Sequence, residues 1–410
     1  MCLSNIRICV ILESYFTPEF PARPAITEIF GQIFPGFGHE VMWICRSKSD
    51  YYSVKNERFN DVRIICISEP EKQSFLHKFF NIIYYYTMMF LILRSLGRQQ
   101  KYNIIFVRNN VIDGLLSLII KKLTHVPVLF QYSWPIHKFH IRQIKQIGYR
   151  LFYPINCHLR KILMQNVDVV LPISRWVGAE LSEMYNIRKI VPLPMGVNPS
   201  TFSPMRDGSC HKTRFNLQNY TVIVYVGAIT PSRKLGILID MMKILIDKEY
   251  KIFLLMVGEG SAVQELQDKA TLLGLGDTIK FTGQVPYNQV PEYIAAADIC
   301  VCPVPPDPVY LVSSPSKLFE YMAVGKPVIC NQEIYEQYDV INQSGGGVLV
   351  DFSAGSFALA VENLVKNPNQ MQKIGLAARA WVIKNRSYAY LAKIVEENCI
   401  ILLEKNEMSL

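Results

Sequence analysis

The stretch Ser313–Ile329, SSPSKLFEYMAVGKPVI, holds a helix start, a helix and the opening of a strand within seventeen residues. Ser314 is the expected N-cap and Pro315 the expected first helical residue, a position whose N–H has no intrahelical partner anyway. Gly325 ends the helix and Pro327 opens the following strand. Leu318, Phe319, Met322 and Ala323 make its buried side, and the free amides of the first turn, near Ser316 and Lys317, point toward a cleft. Glu320 is the residue this scheme does not require. A capping glutamate belongs three residues after the cap, and that place holds Lys317. Glu320 lies three residues from Lys317 and four from Ser316, so it either pairs with the lysine for about a few tenths of a kcal/mol or serves a ligand.

Outward from this helix the chain alternates short apolar runs with helical patterns. Upstream come YTVIVYVGA, the helix LGILIDMMKILIDK, FLLMVGEG, the helix AVQELQDKATLLG, TIKFTGQV, the helix NQVPEYIAAA and ICVCPV. Downstream come GGGVLVD, the helix SFALAVENLVKN and the amphipathic AYLAKIVEENCIILLEK. The first half repeats the scheme with IRICVIL, VMWICR, VRIICIS, NIIFVRN, VPVLFQYS, VDVVLPIS and IVPLPMGV as strands. Between them, PAITEIFGQIFPGFGHEV reads as a helix giving way at Pro35, Gly36 and Gly38, and VIDGLLSLIIKKL as an apolar helix. Buried runs alternating with helices predict an α/β fold of parallel sheets covered on both faces. The Pro-, Ser- and Gly-rich segment NPSTFSPMRDGSCHK divides two doubly wound, Rossmann-like domains, 1–198 and 199–387. The C-terminal helix 388–410 is expected to join the first, and the central cleft between the domains is the expected ligand site.

At 410 residues two domains are the natural division. The ten cysteines are scattered, mostly within apolar runs, which suits buried thiols in a reducing, cytoplasmic setting rather than a disulfide framework. Cys300 and Cys302 are expected to face one side of a strand and pack in the core. IRICVIL, ahead of Glu13, reads as a first strand and not as a signal peptide. The net charge of +9 is unevenly spread: Lys72–Val167 carries fourteen Lys and Arg against a single acid, Asp113. Within it, KFFNIIYYYTMMFLILR places fifteen uncharged residues between Lys78 and Arg94. That is short of the roughly 17–25 a membrane span needs. It predicts either a core-docked helix or a cationic, aromatic surface resting on anionic lipid. No helix-turn-helix, zinc module or RNP-like stretch supports nucleic acid as the anionic partner.

Several strand ends suit phosphate. YVGAITPSRK ends a strand at Gly227 and sets Arg233 and Lys234 at the start of a helix, an arrangement fit for a diphosphate or for a solvated turn. In VGEG, Gly258 and Gly260 allow close backbone approach, with Glu259 between them. His137 and His140 are spaced i,i+3 with no carboxylate or cysteine beside them, and no Asp-x-Asp pair occurs, so no metal site is expected.

These motifs, in this order, resemble the family 4 glycosyltransferases of GT-B fold over nearly the whole chain. The matching runs are FPGFGHEVMWI, VLPISRWVGAEL, VPLPMGVNPSTFSP, VGAITPSRKLGILID, LLMVGEGSAVQELQDKATLLGL, IKFTGQVPYNQVPEYIAAADICVCP, SPSKLFEYMAVGKPVIC and SGGGVLVD. The resemblance implies a retaining, metal-independent enzyme with no cofactor, moving a sugar from a UDP- or GDP-sugar held mainly on the C-terminal domain. It implies that Glu320 accepts the ribose hydroxyls and that Ser314, Pro315, Ser316 and Lys317 face the diphosphate. Arg233 and Lys234 would neutralise the leaving phosphate, and the backbone of Gln284 and Val285 would hold the base. Three positions depart from the family pattern. The first of its two motif glutamates is Val312 here, as in a subgroup with SPxKxxEYMAxGKP. The arginine before the lysine is displaced: Ala228 holds the nearby place and Arg233 is the candidate substitute. The N-terminal glycine pair reads EFPARPA, leaving Arg23 as the candidate phosphate or acceptor contact. The usual mid-domain histidine aligns with Ser133, and His137 nearby is either a catalytic residue or a surface histidine. The expected acceptor is a polysaccharide or polyprenyl-diphosphate-linked glycan at the cytoplasmic membrane surface. A non-catalytic nucleotide-sugar-binding subunit and a nucleotide-sugar epimerase of the same fold are the alternatives.

Overall fold

The computed structural model describes residues 5–15, 24–71, 75–133 and 147–407. The chain forms two compact units, Met1–Pro194 with Tyr388–Leu410, and Met195–Ser387.

The first unit is a seven-stranded sheet. Its strands are β1 (Arg7–Tyr15), β2 (Glu40–Ser49), β3 (Ser53–Phe59), β4 (Val62–Pro70), β5 (Ile104–Arg108), β6 (Val128–Tyr132) and β7 (Val169–Pro172), in the order β3-β4-β2-β1-β5-β6-β7. All pairs are parallel except β3 with β4. β3, SVKNERF, was not among the expected strands. It is polar and largely exposed, and it joins through the two-residue turn at Asn60 (φ +49°), so no buried run betrays it. The helical segment from Pro24 carries a π turn at Ile29–Ile33 and ends at Gly36, with Gly38 left-handed at φ +86°, where the sequence placed its end. One further expectation is corrected. IVPLPMGV is not a strand: Val191 and Leu193 donate to Val170 and Pro172 alongside β7, but Pro192 and Pro194 have no N–H to continue a ladder. The C-terminal helix Tyr388–Glu407 lays Leu391, Val395, Cys399, Leu402 and Leu403 into this unit's core. It is pinned there by His39 Nε2, 2.8 Å from Glu396 Oε1.

The second unit is a six-stranded, wholly parallel sheet: β8 (Thr221–Val226), β9 (Ile252–Val257), β10 (Ile279–Gly283), β11 (Ile299–Cys302), β12 (Val328–Asn331) and β13 (Gly347–Val350). Its order is β10-β9-β8-β11-β12-β13. Period-two alternation sorts each strand between two cores. Val222, Val224 and Val226 join one cluster with Cys300 and Cys302, whereas Ile223, Tyr225, Ile299 and Val301 join the other. β9 and β11 are apolar and buried throughout because both faces are covered, and β8 is so after Thr221, whereas the edge strands β10 and β13 are only part-buried and β10 carries Lys280. Cys300 and Cys302 share one side of the strand, as expected, and seven of the nine described cysteines are buried free thiols.

Both sheets use one device to fix a strand start. Asp298, just before β11, accepts the Val222 N–H of β8 at 2.8 Å and pairs with Lys212 at 3.4 Å. Asp168, just before β7, accepts the Val128 N–H of β6 at 2.8 Å and pairs with Lys121 at 2.7 Å. Removing either carboxylate orphans a strand-edge amide, which costs about 1–3 kcal/mol. Asp298→Ala should therefore lower the urea midpoint clearly, and Lys212→Met much less, since a part-exposed ion pair contributes little. Equal loss in the two variants would show that the ion pair, and not the amide contact, carries the effect.

Candidate functional site

In the second unit the chain departs from β8 and from β11 in opposite directions across the sheet, so their carboxyl ends flank the switch point where open α/β sheets hold ligands. Three loops meet there, backbone against backbone. The Gly227 N–H donates to Val257 O at 2.9 Å, Gly258 N–H to Gly283 O at 3.1 Å, and Ile229 N–H to Glu259 O at 2.9 Å. Gly258 has φ +144°, and a Cβ there would stand 2.0 Å from Gly227 O. Gly260 is held as closely, against Ile229 O. These glycines thus serve loop-on-loop packing, and the surface they leave is a recess of about 280 Å³. Its walls are Val226–Ala228, Val257–Glu259, Gln284, Val285 and Val290.

The helix Ser316–Ala323 packs beneath these loops. Tyr321 Oη accepts the Val226 N–H at 2.7 Å, fixing the helix to the end of β8. The expected cap is corrected: Pro315 occupies the cap position with no side-chain cap bond. Ser314 turns inward, accepting from Met195 N at 3.1 Å and donating to Glu336 Oε1 at 3.3 Å. Glu336 is itself buried and bound by Arg386 Nη2 at 3.0 Å, so Ser314 braces the loop rather than facing a ligand with its hydroxyl.

Glu320 is only 7% exposed. Burial pushes its carboxyl up to about 7, against the opposing pull of the Tyr287 hydroxyl, which donates to Oε1 at 3.0 Å, and of Lys317. The intrahelical pair does not form: among the described residues no ion pair joins Glu320 to Lys317. Instead Lys317 Nζ sits 3.8 Å over the Tyr225 ring and beside Gly227, where a Cβ would meet it at 2.7 Å. The same helix therefore sends an ammonium to the end of β8 and a carboxyl toward the β10 loop.

Arg233 ends a 3-10 turn at Pro231–Arg233 and Lys234 follows it, left-handed at φ +49°, ahead of the helix Gly236–Asp247. Lys234 Nζ pairs with Asp307 Oδ1 at 2.9 Å, and Arg233 lies 4.9 Å over the Tyr310 ring. Both cations are thereby tied to the segment that follows β11. Buried Asn331 anchors that segment at its root, accepting the Val304 N–H at 2.8 Å and donating to Val304 O at 2.9 Å. Val312, at the place of the usual first glutamate, is fully buried.

In the first unit Ser133 is buried at the end of β6. Its N–H donates to Asn109 Oδ1 at 2.8 Å and its hydroxyl accepts from Asn109 Nδ2 at 2.8 Å and Arg108 Nε at 3.3 Å. Asn109 is left-handed at φ +58° to reach it. Buried Arg160 lies 5.3 Å over the Tyr132 ring at the same strand end. Arg23 and His137 fall outside the described residues. Sequence reasoning missed Tyr287, Asp307, Tyr310, Arg108 and Arg160. Tyr287 could have been sought, because a buried carboxyl requires a donor; the others depend on loop paths that no local pattern announces.

Residues 211–381 match the family model "Glycosyl transferases group 1" and residues 34–201 match "Glycosyltransferase Family 4". Among curated proteins the chain is 25% identical over 244 residues to the GDP-mannose-dependent alpha-(1-6)-phosphatidylinositol monomannoside mannosyltransferase of Mycolicibacterium smegmatis, covering 58% of this chain and 64% of that one. It is 26% identical over 242 residues to the amylovoran biosynthesis glycosyltransferase AmsK of Erwinia amylovora, covering 58% of each. The matches thus span less than two thirds of these relatives' length. Among solved structures, sucrose-phosphate synthase from Thermosynechococcus elongatus superposes with TM-score 0.74 at 19% identity over 98% of this chain and 100% of that one. Alr3699/HepE of Anabaena, in complex with UDP and glucose, gives TM-score 0.68 at 15% identity over 96% and 99%. A Family 4 domain followed by a group 1 domain assigns the chain to the glycosyltransferases of GT-B fold.

Proposed function

We propose that this protein transfers a sugar, with retention and without a metal, from a UDP- or GDP-sugar bound on the second unit to a lipid-linked or polysaccharide acceptor. One observation carries the reading: Glu320 is a buried carboxyl aimed at the end of a parallel sheet, on the helix whose Lys317 reaches the neighbouring strand end. A carboxylate kept out of water at a cost in folding fits an acceptor of ribose hydroxyls. The recess beside it, floored by the ends of β8 and β9 and bordered by Gln284 and Val285, suits a nucleoside whose base is held by backbone groups. Lys317, with Arg233 and Lys234, supplies cations where charge develops on the departing diphosphate. Val312 being buried, contacts to the sugar itself fall to other residues.

The acceptor reading rests on the helix Phe75–Arg98. It runs past Arg94 to 24 residues, and its window His77–Arg98 is apolar enough by length and composition to span a membrane, though only 22% of it is buried in the protein. Phe79 and Phe80 are each 58% exposed, near Ile82, Ile83 and Leu91, and the region around them is basic. A groove of about 500 Å³ lined by Tyr52, His77, Phe80, Ile83, Tyr84 and Thr87 lies along it. These features favour a peripheral seat on an anionic, cytoplasmic membrane face. One relative's name specifies a phosphatidylinositol mannoside and another's amylovoran, in keeping with such an acceptor.

Glu320→Ala should weaken UDP or GDP binding roughly 10- to 100-fold by calorimetry, the loss of hydrogen bonds to a charged group, while the melting temperature holds. Unchanged affinity would remove the ribose role. The wild-type affinity should also tighten as pH rises through about 7, because the ligand selects the ionised carboxyl. The same raised value gives the folded protein stability below the ordinary carboxylate range that is lost as pH passes about 7. Glu320→Gln should flatten both dependences. Binding of a nucleotide sugar with neither slow hydrolysis nor transfer would identify a non-catalytic subunit instead. Flotation with anionic liposomes should carry the wild type and lose Phe79→Ser/Phe80→Ser; a wild type left unbound at physiological salt would sink the membrane seat.

A further inference from the structure

A second cluster of chemistry-bearing side chains lies outside these loops. Cys210 and His211 sit on the short helix Ser209–Arg214, and Glu292 on the first turn of the helix Val290–Ala296. The two helices approach unusually closely because residue 208 is glycine: a Cβ there would stand 2.2 Å from Ala296 N. That approach brings one Cys sulfur, one imidazole nitrogen and one carboxylate oxygen within 4.8 Å of one another. His211 is 7% exposed, and neither ring nitrogen has a hydrogen-bond partner. Its ring is stacked on Tyr293 with centroids 3.8 Å apart, and Glu292 Oε2 stands 3.8 Å from Nε2, too far for a hydrogen bond. A buried imidazole with both nitrogens idle is rare in a folded protein.

We propose that Cys210, His211 and Glu292 bind a zinc ion that joins the two helices, with the fourth position taken by water. Thiolate, imidazole and carboxylate are the donor set zinc accepts, and tetrahedral ligands at its usual bond lengths stand about 3.4–3.6 Å apart. The observed 3.8 Å between Nε2 and Oε2 is close to that spacing. The ion would satisfy one orphaned imidazole nitrogen and displace the Cys210 thiol proton to solvent. Cys210 is exposed and Glu292 half-exposed, so an ion reaches the site without the protein opening. The site is independent of the transfer reaction proposed above, and its role is structural.

The full-length protein, stripped with chelator, is titrated with cobalt as a spectroscopic substitute and then with zinc. One cobalt per chain should produce a thiolate-to-metal charge-transfer band with the visible bands of a tetrahedral site, and zinc should displace it and raise the melting temperature by a few degrees. Cys210→Ser should abolish the charge-transfer band, and Glu292→Gln should weaken binding by roughly tenfold or more, both as folded proteins. His211→Ala should also abolish binding, but its buried site makes Cys210→Ser the deciding variant. No charge-transfer band in the wild type, or a band that survives in Cys210→Ser, overturns the site. Nucleotide binding should be unchanged by any of these substitutions.

Discussion

The second unit depends on one close approach, the α-carbon of Gly258 against the carbonyl of Gly227. Any larger residue at 258 would push a methyl group to 2.0 Å from that oxygen, and the loops after β8 and β9 would separate. Their separation would break the Gly227–Val257 and Gly258–Gly283 hydrogen bonds together, since each fixes the frame for the next. The recess exists because three loops are drawn into one surface before any side chain is placed. Glycine at these positions is first a packing requirement, and its openness to a ligand is a consequence.

On that surface Glu320 is a conflict that the rest of the helix resolves. Leu318, Phe319, Tyr321 and Met322 drive the helix into the core, and Tyr321 binds it to β8 through the Val226 amide. Their burial is large enough to carry one carboxyl into a place that penalises its charge. The Tyr287 hydroxyl offsets part of that penalty and aims the carboxyl. No side chain caps this helix; the Pro315 carbonyl takes the Leu318 N–H at 3.1 Å, which leaves the amides of Ser316 and Lys317 ahead of it to meet an anion.

Much of this was legible in the sequence, and the exceptions are instructive. The inner strands β8, β9 and β11 announce themselves because both faces are buried and each is a nearly unbroken apolar run, whereas the edge strand β10 carries Lys280 and Thr282 and is only part-buried. β3 stayed hidden because an exposed edge strand needs no such run, and IVPLPMGV misled because its apolar residues follow a strand's path while its prolines forbid the ladder. Ser314 has the chemistry of a cap, yet its hydroxyl answers Met195 and buried Glu336, partners 119 and 22 residues distant. Local pattern names what a residue can do, and tertiary partners decide which of those things it does. Glu320 and Lys317 were readable as unusual residues, but not that the lysine would turn from the glutamate to the Tyr225 ring.

The two cation-bearing ends of the site differ in a way that bears on the chemistry. Lys317 is held by a ring and a helix, both parts of the rigid core. Arg233 and Lys234 are held by Tyr310 and Asp307, on a segment rooted at Asn331 but carrying partly exposed side chains at its far end. An anion that draws Lys234 from Asp307 exchanges one carboxylate for a more highly charged phosphate, at little cost because the existing pair is solvated. On the donor reading proposed above, the fixed lysine would position a diphosphate in the ground state and the exchangeable pair would follow charge as it develops, the kind of differential binding that accelerates a transfer.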